Sequence, residues 1–294
     1  MEPILVSVIM PIYKTNKQYL IEAIDSILNQ SYKTFELLLI IDEDPELGTK
    51  KILEKKEDDR IIIIENGQNK GLVYSLNKGL ECAKGKYIFR MDSDDIALEH
   101  RLKKQIEYFE HHKEVVVLGT YAKTFGADVK EFKSSTSDAQ IKGELIWKNP
   151  IVHPTVAFRA SFIKKNNIRY RLGDSEDYRL WIELAFKYNC VFAVLPEILL
   201  KYRVHSEQIT YRDREKILDM EKNIVKLILQ YCNIELEEKE IDLFCTIKQG
   251  TPINFRGFFA GLRILKKIDK CIDNKITKDV LKKSYIKGLI KILR

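Results

Sequence analysis

The sequence predicts an α/β fold, a mostly parallel sheet with helices on both faces in a Rossmann-like winding, followed by a helical C-terminal region. Three observations predict it. Short apolar runs alternate with stretches of helical periodicity from the first residues to about Leu118, the order that parallel strands joined by helical crossovers require. Polar clusters close several of the runs, at Pro11 to Lys14, Asp42 to Asp44, Asn66 to Gly71 and Asp92 to Asp95. In an open sheet such ends line one crevice. After Thr210 the pattern is helical almost throughout, apart from a break at Gln249 to Pro252, so the expected division is a domain of residues 1–210 and a helical region of residues 211–294.

Leu5 to Met10 reads as a strand closed by Pro11, and Lys14-Thr15-Asn16 is a loop with a helix-cap candidate. Leu20, Ala23, Ile24, Ile27 and Leu28 then recur at helical spacing. Glu36 to Ile41 is a second strand, ending at Asp42-Glu43-Asp44-Pro45, and a lysine-rich helical stretch leads to a third, Ile61 to Ile64. Turn-forming residues from Asn66 to Gly71 open a helix through Leu72, Leu76, Leu80 and Ala83. Tyr87 to Met91 is aromatic and β-branched, a buried strand that ends in Asp92-Ser93-Asp94-Asp95 before a helix near Leu98 to His111. Further on, Lys133 to Asp138 reads as a loop and Ile151 to Phe158 as extended. Tyr178, Trp181, Leu184, Ala185 and Tyr188 mark an amphipathic helix, and Val191 to Leu195 and Ile198 to Tyr202 two short strands.

At 294 residues the chain has room for one large α/β domain with an appendage or for two domains. Met1-Glu2-Pro3 lacks a basic leader followed by an apolar run, and no stretch is long and apolar enough to span a bilayer. The five cysteines are scattered with no Cys-x-x-Cys pair, which argues against a disulfide frame or a zinc site and for a reducing cytoplasm. The net charge of +7 is concentrated: from Arg263 to Arg294 eleven Lys/Arg face three Asp. No stacking aromatics are interleaved as a nucleic-acid site would need, so no nucleic-acid partner is expected.

Three carboxylates at one strand end repel unless something positive joins them, and hard oxygen ligands suit Mg²⁺ or Mn²⁺, which in turn hold a diphosphate. The alternative is a solvated acidic turn ahead of a helix. A calcium hand fails on spacing, since Ala97 and Lys103 stand where Gly and Glu are needed. Neither a Gly-x-Gly-x-x-Gly after the first strand nor a P-loop is present. Glu176-Asp177 opens a helix, where carboxylates also serve as caps, and Tyr202-Arg203-Val204-His205 ends a strand in a cation and an imidazole.

The order of these motifs resembles the family 2 glycosyltransferases, inverting enzymes of the A-type fold, and especially bacterial members that build surface polysaccharides. The resemblance runs through Val6 to Tyr13, Ser26 to Tyr32, Asn69 to Leu72, Arg90 to Asp95, Arg101 to Gln105, His153 to Val156, Ser175 to Tyr178 and Tyr202 to His205. It implies a nucleotide-sugar donor, a UDP-hexose or UDP-N-acetylhexosamine, with Mn²⁺ or Mg²⁺, and a glycan or lipid-linked acceptor. Pro11, Tyr13 and Asp42 would hold the nucleoside, Asn69, Lys70 and Gly71 would lie along the nucleotide, and Asp92 would sit near the ribose or donor sugar. Asp94 and His205 would bind the metal, and Asp177 would be the general base. Relatives commonly carry Asp-Asp-Gly-Ser where this chain has Asp42-Glu43-Asp44-Pro45, which leaves no basis for a role of Glu43. The Gln-x-x-Arg-Trp mark of processive relatives is absent, so single-sugar addition is expected. A nucleotidyltransferase and a non-catalytic carbohydrate or nucleotide-binding module are the alternatives; the first should show a Gly-rich basic loop after the first strand, and Pro11 to Lys14 is not one.

In the tail, Lys283, Lys287, Lys291 and Arg294 fall along one side of a helix and Leu281, Tyr285, Leu289, Ile292 and Leu293 along the other. That apolar side either packs on the protein or lies on an anionic membrane, which would place the chain on the inner face of the plasma membrane.

Overall fold

The computed structural model describes residues 4–42, 57–173, 175–205 and 214–292. Glu43 to Pro45, the lysine-rich stretch after them, Leu293 and Arg294 lie outside these described residues. The chain divides into two compact units, one of Met1–Ser134, Ile151–Tyr170 and Ala193–Gln208, the other of Ser135–Pro150, Arg171–Phe192 and Ile209–Arg294. The second thus takes two stretches that the linear reading placed in the domain of residues 1–210.

Nine strands are present among the described residues: β1 Val6–Ile12, β2 Phe35–Ile41, β3 Ile61–Glu65, β4 Tyr87–Arg90, β5 Ile96–Ala97, β6 Val115–Gly126, β7 Glu131–Phe132, β8 Ala157–Arg159 and β9 Val191–Val204. They form one sheet in the order β3-β2-β1-β4-β8-β6-β9-β5, with β7 on β6. The half β3-β2-β1-β4 is parallel, and the β4–β8, β8–β6, β6–β7 and β9–β5 pairings are antiparallel. This is the expected α/β architecture, a parallel half-sheet with helices, and a helical C-terminal region follows it in the chain.

The parallel register fixes where the chemistry can gather. Ile12 pairs with Ile41, Ile41 with Glu65, and Ile9 with Arg90, so Tyr13, Asp42, Asn66 and Met91-Asp92 leave the sheet at one edge. β1 does not stop at Pro11 but runs through it. Met91 N donates to Ile9 O, and alternation turns Pro11 toward the same side, beyond the last β4 pairing, where its missing N–H breaks no ladder bond. Asn16 caps the first helix, α1 (Lys17–Leu28), by accepting from Gln18 N at 2.9 Å. The next helix, α2 (Leu72–Cys82), lies close on β1: a Cβ on Gly79 would come within 2.4 Å of Ile9 Cγ2.

The helix after the acids, α3 (Arg101–His111), explains the Arg101-Leu102-Lys103-Lys104-Gln105 motif as structure. Arg101 and Gln105 are fully buried, and Gln105 Nε2 donates to Leu118 O and Thr155 O, tying α3 to β6 and the 153–155 turn. Two expectations are corrected here. Ile151 to Phe158 is not extended throughout, because Pro154 opens a 3-10 turn at His153–Thr155 before the short β8. Val191 to Tyr202 is one strand rather than two, since Pro196 is an exposed position that β9 passes through.

In the second unit, helices α4 (Asp138–Trp147), α6 (Glu176–Ile182), α7 (Arg214–Tyr231), α8 (Glu238–Lys248), α9 (Phe255–Cys271) and α10 (Lys275–Ile292) build a core of their own; α5 (Ala160–Lys165) belongs to the first unit. α6 widens into a π turn at Glu183–Lys187, so the expected helix through Tyr188 changes pitch midway. Gly143 and Gly288 permit the approach of α4 and α10, where a Cβ would meet Val280 and Trp147 within 3 Å. The rings of Trp147, Phe244 and Tyr285 meet with centroids 5.6 to 6.1 Å apart. Leu281, Tyr285, Leu289 and Ile292 are buried here, so the apolar side of the tail is core of this unit.

Tyr285 tests that placement. Its hydroxyl is buried without a partner among the described residues, so Tyr285→Phe should leave urea stability within about 1 kcal/mol or raise it, because no bond is lost. Tyr285→Ala should lower it by about 3–5 kcal/mol through the cavity left behind.

Candidate active site

Asp92, Asp94 and Asp95 each place an oxygen within 4.8 Å of the others. Two chain features force them together: β4 ends at Arg90, and Ile96–Ala97 at once joins β9 through Lys201 and Leu200. Three guanidinium groups make the crowding tolerable. Arg90, buried, forms an ion pair with Asp92 through Nη1 and Oδ2. Arg203 donates its backbone N to Asp95 Oδ1 at 2.8 Å and its Nε to Asp94 O at 2.7 Å, while Nη2 reaches Glu22. Arg101 donates to Arg90 O at 2.8 Å from below the strand. Burial, then the charge of Arg90, pulls its guanidinium down to about 9, which still leaves it protonated near neutral pH.

Asp95 is wholly buried, and its Oδ2 has no partner among the described residues. Burial, then the charges of Asp92 and Asp94, holds its carboxyl well above the usual carboxylate range. His205 Nε2 stands 2.9 Å from Asp94 Oδ2. Burial and then the three acids raise the Tyr202 phenol as well. Thr15 Oγ1 lies 2.6 Å from Ser93 Oγ and so ties the loop after β1 to the acidic turn. A divalent cation fits this donor set: three carboxylates converge, an imidazole stands beside Asp94, and one buried carboxylate oxygen of the group is orphaned.

The neighbouring strand tips form a second cluster. Asp42 is 2 % exposed; Oδ1 accepts from Asn66 Nδ2 and Lys70 N, and Oδ2 from Gly71 N at 2.7 Å. Its carboxylate therefore holds the 66–71 loop in shape. Gly71 takes a positive φ of 84° at the start of α2, which an L side chain rarely adopts. Asn69 Nδ2 donates to Tyr13 OH at 2.8 Å, and Lys70 Nζ lies 4.5 Å from the Tyr74 ring centroid. Tyr13 and Tyr74 are both exposed, two aromatic faces beside an amide and an ammonium. Pro11 is half-buried near the end of β1, paired with Ile40 of β2.

Among the expected site residues, the first unit thus brings Asp92, Asp94 and His205 into one cluster and Tyr13, Asp42, Asn69, Lys70 and Gly71 into another. Asp177 belongs to the second unit, half-buried in the first turn of α6. Its Oδ2 accepts from Asn149 Nδ2 at 2.8 Å, and its Oδ1 from Ser175 Oγ at 2.8 Å and Tyr178 N at 2.6 Å. One of those bonds is a first-turn helix amide, the other two fix the carboxylate plane. His153 is buried against Tyr170 OH, and burial followed by the charge of Arg90 keeps its imidazole well below the usual range, hence neutral.

Sequence reasoning missed Asn66, Thr15, Tyr74 and the three arginines as parts of the site. Arg90, Arg101 and Arg203 stood inside the motifs, and cations flanking an acid cluster are a readable signal. The bond from Asn66 to Asp42 depends on strand register and left no local mark.

Comparison with known proteins bears on the fold and the family. The family model described as Glycosyl transferase family 2 matches residues 7–171. An uncharacterized glycosyltransferase of Methanocaldococcus jannaschii is 36 % identical over 211 residues, 69 % of this chain and 72 % of that protein. The O-antigen biosynthesis glycosyltransferase WbnJ of Escherichia coli is 35 % identical over 211 residues, 69 % of this chain and 81 % of its own. Of solved structures, S. aureus TarS 1–349 in complex with UDP-GlcNAc superposes with a TM-score of 0.66 at 18 % identity, covering 97 % of this chain and 89 % of that one. The mannosyltransferase PcManGT from Pyrobaculum calidifontis, in complex with GDP-Man and Mn²⁺, gives 0.57 at 13 % identity, covering 97 % and 85 %. Fold and family match together define a glycosyltransferase of the A-type architecture. Within that class, the chain belongs to glycosyl transferase family 2.

The Asp42 cluster carries its own test. Asp42→Ala removes the acceptor of two backbone amides and should cost about 1.5–3 kcal/mol for the charged bonds it breaks. Amide exchange should quicken first at Lys70 and Gly71, as measured by NMR; unchanged protection there would show that the loop holds its shape without the carboxylate.

Proposed function

We propose that the chain transfers a single sugar, with inversion, from a UDP-hexose or UDP-N-acetylhexosamine to a glycan or lipid-linked acceptor in the synthesis of a surface polysaccharide. The observation that carries the reading is the acid cluster with its orphaned oxygen at the sheet edge, beside a loop that offers aromatic and cationic side chains. The O-antigen role in the name of WbnJ supports the pathway class, and the UDP-GlcNAc bound to TarS supports the donor class. The proposed place of work is the cytoplasm, in keeping with five free cysteines.

In this reading Asp94 and His205 hold Mn²⁺ or Mg²⁺, with Asp92 turned to the ribose or donor sugar. The ion, when bound, supplies positive charge against the diphosphate that leaves. Tyr13 and Pro11 border the nucleoside, and Asn69, Lys70 and Gly71 run along the nucleotide. Asp42, with both oxygens engaged, contributes by fixing that loop, and a base contact to it would use its remaining lone pair. Asp177 takes the proton from the acceptor hydroxyl; the acceptor oxygen bonds to the anomeric carbon as the bond to the β-phosphate oxygen breaks, and UDP leaves. Asn149 and Ser175 hold the Asp177 carboxylate in place for that transfer.

A screen of nucleotide sugars for hydrolysis and transfer, with Mn²⁺ or Mg²⁺ present, tests the reading. One UDP-sugar should be consumed well above the others. Turnover with ATP or CTP and a sugar phosphate instead would assign a nucleotidyltransferase, and binding without turnover of any donor and acceptor would assign a binding module. Asp177→Asn should keep donor binding and the melting temperature while kcat falls by about 10² or more, the usual loss of a general base. An unchanged kcat would leave Asp177 as a helix-terminal residue only.

A further inference from the structure

The second unit leaves one apolar and basic face uncovered. In α9 the buried side is Gly261, Ile264, Leu265 and Ile268. Helical spacing puts Phe255, Phe259 and Leu262 on the other side, where they are 72 %, 58 % and 37 % exposed. In α10 the residues opposite the core are Ile286 and Ile290, 42 % and 64 % exposed.

These two stripes adjoin. A Cβ on Gly261 would lie 2.8 Å from Leu289 Cδ2, and Ile253 N donates to Ile292 O, so the start of α9 lies beside the end of α10. Lys267 reaches the opposite flank, to Glu240 of α8 at 2.7 Å. That leaves Phe255 and Leu262 on the flank nearer α10, and Lys282 of α10 meets Asp269 of α9 at 3.0 Å further along the same seam. Arg256, Arg263, Lys266 and Lys270 on α9 and Lys283 and Lys287 on α10 border the stripes, all exposed and without an acidic partner among the described residues. Asp279 is the acid on that side of α10.

We propose that this face docks the protein on an anionic lipid bilayer, the Phe and Ile side chains entering the headgroup boundary while the lysines and arginines meet lipid phosphates. The charge decides the occupant. In a pair of identical chains this surface would meet itself, and unpaired cations on both sides would repel. The contact lies on α9 and the outer side of α10, not on the apolar side of the tail, which the core has used. It stands apart from the sugar-transfer reading and survives or fails independently of it.

The test is co-sedimentation of the full chain with vesicles of phosphatidylcholine alone and of phosphatidylcholine mixed with phosphatidylglycerol, at low and high salt. The expected result is pelleting with the anionic vesicles only, weakened by salt. Phe255→Ser with Phe259→Ser should cut the bound fraction about tenfold, since burial of the apolar stripe is lost. Arg256→Gln, Arg263→Gln and Lys266→Gln together should cut it and flatten the salt dependence, and both variants should melt as the parent does, their sites being exposed. Failure of the parent to bind anionic vesicles, or undiminished binding by both variants, overturns the proposal. So does a dimer in sedimentation velocity that the Ser pair dissolves, which would give the face to a second copy.

Discussion

Like charge at the end of β4 is the constraint on which the rest of the first unit depends. Asp92, Asp94 and Asp95 lie within 4.8 Å of one another, and in a half-buried setting such a group persists only if cations stand close by. Arg90, Arg101 and Arg203 do so from three directions: along the strand, from the helix beneath it and from β9. The result is a balance left deliberately short on one side. Asp95 Oδ2 has no donor, and Asp94 faces an imidazole that can ligate a metal as readily as it donates a proton.

From that constraint the topology follows. A parallel half-sheet brings four strand ends to one edge, and the antiparallel strands then return Arg203 and His205 to the same edge from a point more than a hundred residues on. Gly79 and Gly85 keep α2 and the start of β4 tight against β1, since a Cβ on Gly85 would fall 2.5 Å from Ser7 N. The acids and the 66–71 loop are thereby set on one rigid floor. Asp42 links the two by anchoring that loop from the tip of β2.

Much of this was legible in the sequence because it is local. The β1 to β4 alternation, the Asn16 cap, the acidic strand end and the turn at Asn66 to Gly71 each depend on near neighbours. What could not be read depends on distant ones. Pro11 looked like a strand end because its tolerance in β1 comes from β4 stopping short beside it. Val191 to Leu195 and Ile198 to Tyr202 read as two strands because the exposed position that lets Pro196 stay within β9 is set by the fold and not by its neighbours. Residues 135–150 and 171–192 fall inside the expected domain of residues 1–210 by their place in the chain, yet the apolar sides of α4 and α6 match α10, α8 and α7, a choice that only complementary surfaces make. The tail was two-sided in the sequence, and burial of Tyr285 and Leu289 shows which side the core takes.

Mn²⁺ binding, followed by the loss of the free-ion paramagnetic resonance signal at neutral pH with and without UDP, tests whether the acids at the end of β4 hold a metal. The account predicts one Mn²⁺ per chain, bound at least tenfold more tightly with UDP present because the diphosphate adds oxygen ligands to the carboxylates and imidazole. An undiminished free Mn²⁺ signal under both conditions would contradict it, and would return Asp92 to Asp95 to the standing of an acidic turn balanced by its own arginines.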